Sequence, residues 1–303
     1  MTGIAAFIMK GRPQAVFMIT LLTVLSWMLS LAGLLAAAGI ALPTLRRGSK
    51  EGLLIAGMTL PAIAIAGQLI MGDPIEAVAY TAAIWAPTIV IALILRESAN
   101  LSLTLASALG LSLVTIVAIY GFSDDPSGLW LAQIQAVMKP MMEQGAPGID
   151  PALLQRSIEL LSRYATGAIA AGSLLTVALS LLLARWWQAN LFNPGGFRIE
   201  FLQLEPSKWF AYGVLALLAI GSLALGGIAE MAINLAIPFM MIYLLVGFAV
   251  IHALCSDSKA GKFWLAGVYV GLFFIAPLIG IIAVFGFSDT WIHWRLRFNK
   301  AKA

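Results

Sequence analysis

Leu101–Phe122 reads LSLTLASALGLSLVTIVAIYGF and residues 263–287 read FWLAGVYVGLFFIAPLIGIIAVFGF, two stretches apolar on every face and each about the length that carries an α-helix across a bilayer. A transmembrane barrel would instead show alternating segments of about ten residues, so these backbones are expected to satisfy themselves as helices. Further runs follow the same rule at 52–71, 76–95, 164–186, 209–228 and 231–254. The composition agrees. Of 303 residues 61% are apolar and only 11% charged, where a soluble domain carries about 25% charged residues. The expected fold is all-α, a polytopic transmembrane helix bundle of eight to nine spans forming one membrane-embedded body over residues 1–303.

Residues 15–45 are too long for one span and barely enough for two. Lys10 and Arg12 precede them; Arg46, Arg47 and Lys50 follow. A single crossing leaves the basic residues evenly divided between the two sides, whereas a short hairpin bending near Ser30 to Gly33 concentrates them on one. The positive-inside rule therefore favours the hairpin, with the N-terminus cytoplasmic. The side of the C-terminal tail stays open. Lys10 and Arg12 before an apolar run also suggest a signal peptide, but an h-region spans only about 7–15 residues, so the stretch is expected to remain as an anchor.

Residues 123–163 are the longest expected extramembrane piece. Trp130, Ile134, Val137, Met138 and Met141 fall at helical spacing, and Asp150-Pro151 opens a second helix whose apolar face is Leu153, Leu154, Ile158 and Leu161. Two near-copies, VAIYGFSD at 117–124 and IAVFGFSD at 282–289, each read as a membrane exit followed by a helix cap. Pro61, Pro87, Pro238 and Pro277 fall within four different spans and predict four kinks.

No G-x-x-x-x-G-K-[ST] loop, H-E-x-x-H helix, G-x-S-x-G elbow or paired zinc ligands occur. The reading is no enzyme, no catalytic residues, no metal site and no cofactor, with any ATP-driven activity requiring a separate subunit. One cysteine, Cys255, excludes an internal disulfide, and the net charge of +4 forms no basic block interleaved with aromatics, so nucleic acid is not an expected partner. Ionisable and polar residues inside spans are costly, which makes them default functional candidates. Gln68, Glu230 and Asn234 form the candidate ligand-binding set, with Tyr243 and Tyr269 as possible partners; His252 reads as interfacial. Glu230, after Gly226-Gly227, reads first as a solvated turn residue that shares a polar pocket with Asn234 one helical turn on. Small residues four apart, Ala32 with Ala36, Gly33 with Ala37 and Ala41, and Gly267 with Gly271, suit close helix contacts.

The most distinctive stretch lies in the cytoplasmic turn expected at 187–208. Arg185, Trp186 and Trp187 mark a membrane exit, Asn193-Pro194-Gly195-Gly196 suits a tight turn, and Phe197, Ile199 and Phe201 alternate with Arg198 and Glu200 as a half-exposed extended segment would. An anchor and sharp turn is the first reading of this signature loop, a docking surface for a partner the second.

The pattern R-W-W-Q-A…N-P-G-G-F-R-x-E-F, with Leu45-Arg46-Arg47-Gly48 before Glu51-Gly52-Leu53 and Ser288-Asp289-x-Trp291 before Arg295-x-Arg297, resembles the YybS-like family of predicted bacterial membrane proteins of unknown function. That family is in turn similar to the substrate-capture subunits of energy-coupling-factor vitamin transporters. The resemblance implies a bacterial cytoplasmic membrane and a small-solute binding or transport component without its own ATPase. A second reading is a non-transporting membrane factor that holds a partner protein through the loop and the small-residue helix faces. A lipid-modifying enzyme would have to use Glu230, His252 and Arg198, which fall on different sides in the expected topology.

Overall fold

The computed structural model describes residues 2–143, 150–256 and 260–300, and every regular element among them is a helix. In order these are α1 (Thr2–Lys10), α2 (Arg12–Ser26), α3 (Ser30–Arg47), α4 (Ser49–Ile70), α5 (Pro74–Ser98), α6 (Leu101–Phe122), α7 (Pro126–Glu143), α8 (Pro151–Phe192), α9 (Gly196–Leu202), α10 (Lys208–Leu223), α11 (Gly226–Ser256), α12 (Gly261–Phe274), α13 (Leu278–Ile292) and α14 (Trp294–Lys300). Helices α4, α5, α6, α8 and α11 are long and apolar enough to cross a membrane, while α2, α10, α12 and α13 are shorter apolar helices. The chain is an all-α polytopic membrane protein whose apolar outer faces suit contact with lipid.

Several boundaries differ from those expected. The chain turns at 27–29, so Ser30 to Gly33 form the first turn of α3 rather than the bend. Pro277 does not kink one helix. It stands between α12 and α13, so the span expected at 263–287 is two short helices, because a proline with no N–H and a clashing ring ends the hydrogen-bond ladder there. Pro61, Pro87 and Pro238 do lie inside α4, α5 and α11. The span expected at 209–228 is the sixteen-residue α10, ended by Ala224 in an extended conformation.

The second outer helix is no separate element. Asp150 caps it through its side chain, accepting from Ala152 N at 2.9 Å, and the helix then runs without interruption as the 42-residue α8. Its buried line there is Ile158, Ser162 and Thr166, while Leu153 and Leu161 are exposed. Met141 has its side chain outside the described residues.

The molecule divides into two compact units, Met1–Ala108 with Leu175–Pro206, and Leu109–Leu174 with Ser207–Ala303. In the first unit α3 is the centre. Every residue from Ala36 to Leu45 is buried, because alanines and Gly39 let α2, α4 and α5 approach on all sides. A Cβ on Gly39 would stand 3.0 Å from Ile19 Cγ1, and one on Gly52 would overlap the Thr44 side chain. In the second unit α11 packs against α10 and α13. At the α11–α13 crossing Gly247 and Gly286 bring backbone against backbone, so a Cβ on Gly286 would overlap the Tyr243 carbonyl. Of the pair Gly267 and Gly271, a Cβ on Gly271 would stand 2.9 Å from Leu278 Cδ2, while one on Gly267 meets nothing within 4 Å.

The hydroxyls of the apolar helices are largely spent within their own backbones. Thr23, Thr44, Thr59, Thr81 and Thr88 each donate to the carbonyl four residues back, at 2.6–2.8 Å. A hydroxyl so bonded can sit in hydrocarbon without an unsatisfied donor.

Candidate functional site

In the first unit the signature loop begins with a reverse turn. Gly196 N donates to Asn193 O at 3.2 Å, Pro194 takes the second position, and Gly195 takes the third at φ +91°, the left-handed region that glycine enters without a Cβ penalty. The segment that follows is helical, not extended. Phe197 and Phe201, four residues apart in α9, stack at 5.7 Å, which overturns the alternating reading: the period is 3.6, and the turn has already pointed the chain into a helix. Trp187 is likewise not a lipid-facing anchor. It is 0% exposed, continuing the buried line of Leu174, Ala178, Leu181 and Ala184 along α8, while Trp186 is half-buried.

The loop is tied down by Arg185. Its Nε donates to Glu200 Oε2 at 2.9 Å, its Nη2 donates to Glu200 Oε1, and its Nη1 donates to Gln188 Oε1 at 2.6 Å. This two-pronged pair holds α9 against the end of α8. Beside it lies a cavity of about 110 Å³ lined by Leu45, Leu95, Arg96, Ala99, Arg185, Gln188 and Glu200. Arg96 enters from α5 and donates through Nη1 to Leu45 O at 2.8 Å, which satisfies one of the free carbonyls at the end of α3. Arg198 is exposed and Ile199 is 62% exposed.

The basic-glycine turn has a separate structural use. Glu51 accepts from Arg12 at 2.7 Å and from Arg47 at 3.2 Å, Arg47 also donates to Met9 O, and Gly48 carries φ +96° between α3 and α4. The closing motif is a second knot: Asp289, 4% exposed, accepts from Trp294 N at 2.8 Å and Arg295 Nη2 at 2.7 Å. The two Gly-Phe-Ser-Asp copies thus differ, because the first ends α6 whereas the second lies inside α13.

In the second unit Asn234 and Glu230 share one polar cluster. Asn234 is 0% exposed; its Oδ1 accepts from Gly167 N at 2.6 Å, and its Nδ2 lies 2.8–2.9 Å from Arg163 O, Tyr120 Oη and Glu230 O. Gly167 N–H and Arg163 C=O are the pair that an uninterrupted α-helix joins to each other, so the side-chain amide bridges a rung of α8. Tyr120 in turn donates to Glu230 Oε1 at 3.0 Å. Glu230 is not a solvated turn residue but a half-buried member of α11, and the amide is spent on protein partners. Trp130 Nε1 donates to Thr166 Oγ1 at 2.7 Å, holding α7 to α8.

Gln68 belongs to the first unit, where it is exposed near the end of α4. His252 pairs with Tyr269 Oη at 2.8 Å. Cys255 is half-buried. Among the described residues no group of three or more His, Cys, Asp or Glu stands close enough to hold a metal ion. What the sequence missed is Arg96: a lone arginine near a helix end carries no local signal, and only α3, α5 and α8 together make it a neighbour of Gln188, the glutamine of the R-W-W-Q-A pattern.

Residues 15–290 match the family described as "Predicted membrane protein (DUF2232)". The chain belongs to that family. No curated protein and no solved structure matches it.

Proposed function

From this family membership and the geometry of the first unit, we propose that the protein is a non-catalytic membrane component that binds a small ligand in the cavity beside the signature loop, without an ATPase of its own. The observation that carries this reading is the contrast between the two polar clusters. The Asn234 amide is consumed by internal bonds, and Glu230 accepts one from Tyr120. The cavity at Arg96, Gln188 and Glu200 combines charge, amide and apolar walls in a space left open, the mixture expected of a ligand site. Any energy-driven step would come from a separate subunit. The membrane is the bacterial cytoplasmic membrane, with the N-terminus and the loop on the cytoplasmic side, as the basic residues of the early turn favour. Native mass spectrometry of the full chain released from nanodiscs tests the site: a retained adduct that disappears when Ala99→Trp fills the cavity supports it, and a wild-type chain with no adduct refutes it. For orientation, Lys50→Cys in a Cys255→Ser background should resist impermeant maleimide added outside intact cells.

A second reading, docking of a partner protein, is favoured by one feature. The Arg185–Glu200 clamp presents Arg198 and Ile199 outward on a fixed helix. It predicts a defined co-purifying protein that is lost when Gly195 and Gly196 become valine; recovery of the same protein with that variant would refute it.

A further inference from the structure

We infer that the ligand of this cavity is an anion bearing a phosphate group; the inference rests on the binding reading above and adds the chemistry of the ligand. The argument is an inventory of donors and acceptors around one space. Arg185 and Glu200 cancel in charge, and the three Arg185 nitrogens are all committed to Glu200 and Gln188. That leaves Arg96 as the uncompensated charge of the lining. Its carboxylate neighbour Glu97 is 3.7 Å away and 80% exposed, a geometry worth little. Only Nη1 of Arg96 is bonded, to Leu45 O; among the described residues its Nη2 and Nε have no hydrogen-bond acceptor. Gln188 is oriented by the same network: its carbonyl oxygen accepts from Arg185, so its amide NH2 is the unspent end. Two unspent donor groups, one of them cationic, therefore line the same cavity, and the carboxylate that shares it is already bonded twice.

A ligand that completes this set must bring acceptors and negative charge. Guanidinium matches the paired oxygens of phosphate. The volume, about 110 Å³, is several times the roughly 10–15 Å³ that one water needs, so a five-atom oxyanion fits. The C-terminus of α3 opposes an anion, but its own last turn carries Arg46 and Arg47 against that dipole. Leu45, Leu95 and Ala99 form an apolar wall suited to the ester side of the group. Either a phospholipid headgroup or a free phosphate ester has this chemistry.

The test uses the full chain in nanodiscs of phosphatidylcholine with and without phosphatidylglycerol, read by lipid retention in native mass spectrometry, and in detergent titrated with inorganic phosphate, read by thermal shift. Two variants probe the cavity. Arg96→Gln removes the charge. Gln188→Glu keeps a partner for Arg185, leaves the Arg96–Leu45 bond untouched and puts a negative charge on the wall. Preferential retention of phosphatidylglycerol, at least tenfold weaker in Gln188→Glu, supports a headgroup site; phosphate-induced stabilisation lost in the same variant, without lipid preference, supports a free phosphate ester. Binding of either probe that is unchanged in both variants, or no binding of either to the wild type, overturns the inference. A retained adduct without phosphate that Ala99→Trp displaces would overturn the ligand class while leaving the binding reading standing; no adduct of any kind would sink both.

Discussion

Two glycines five residues apart on α8 should respond in opposite directions to the same added methyl. A Cβ on Gly167 would stand 2.6 Å from Asn234 O, 2.8 Å from Asn234 Cα and 2.9 Å from Asn234 Oδ1, and the first two are backbone atoms that no rotamer change can move. A Cβ on Gly172 would meet nothing within 4 Å. Gly→Ala in a helix interior gains about 1 kcal/mol of propensity, and that gain is all that Gly172→Ala should show. For Gly167→Ala, overpacking costs about 1–3 kcal/mol, and displacing the amide from Gly167 N and Arg163 O costs a further 1–2 kcal/mol or so. The net expectation is a loss of about 2 kcal/mol. Unfolding of the detergent-solubilised protein, followed by fluorescence of its nine tryptophans, gives the comparison directly. Asn234→Ala in the Gly167→Ala background should restore little, because the backbone contacts persist. If Gly167→Ala is as stable as Gly172→Ala, α11 does not approach α8 as described, and the bridging amide falls with it.

Three further outcomes follow from the same geometry. Glu200→Gln should lose about 1–3 kcal/mol, between the values for exposed and buried pairs, since Arg185 and Glu200 are 20% and 27% exposed; Arg185→Glu with Glu200→Arg should recover part of it in thermal unfolding. Gly286→Val should destabilise more than Gly280→Val, by about 2 kcal/mol or more, because the Gly286 side faces the Tyr243 carbonyl whereas a Cβ on Gly280 meets nothing within 4 Å; equal melting temperatures would contradict the α11–α13 crossing. Asp125 accepts from Gly128 N and Ser127 Oγ, which holds its carboxyl below the ordinary value of 3.8. A depressed carboxyl contributes stability above its unfolded pKa and loses it as the pH falls through its folded pKa. Amide exchange in the first turn of α7, corrected for intrinsic rate, should therefore quicken only as the pH falls below that ordinary value, and Asp125→Asn should abolish that dependence.

The helical membrane architecture was plain from runs such as 101–122, because a stretch apolar on all faces and about twenty residues long has one economical solution. Where helices end was harder to read. Pro277 looks the same in sequence as Pro61 and Pro238, yet Pro277 stands between two helices whereas the other two lie inside α4 and α11. Phe197, Ile199 and Phe201 alternate as a strand does, but they stand in a seven-residue helix fixed by an ion pair from Arg185. That Glu230 and Asn234 lie one helical turn apart was legible, and they do meet. Their partners Tyr120, Arg163 and Gly167 were not, since contacts between residues more than sixty apart in the chain leave no local trace. The cavity was hidden for the same reason: it draws its walls from α3, α5, α8 and α9.

The looped-back threonines bear on how the chain enters the bilayer. Insertion is decided segment by segment during synthesis, before tertiary neighbours are in place, and a hydroxyl that returns to its own carbonyl asks nothing of a neighbour at that moment. Asn234 is different, for its amide needs α6 and α8. Both are translated ahead of α11, so when that asparagine leaves the ribosome its companions have already emerged. A permuted gene that placed α11 first would offer the translocon an unpaired amide, and membrane integration of that one segment, rather than final stability, is the step that should suffer.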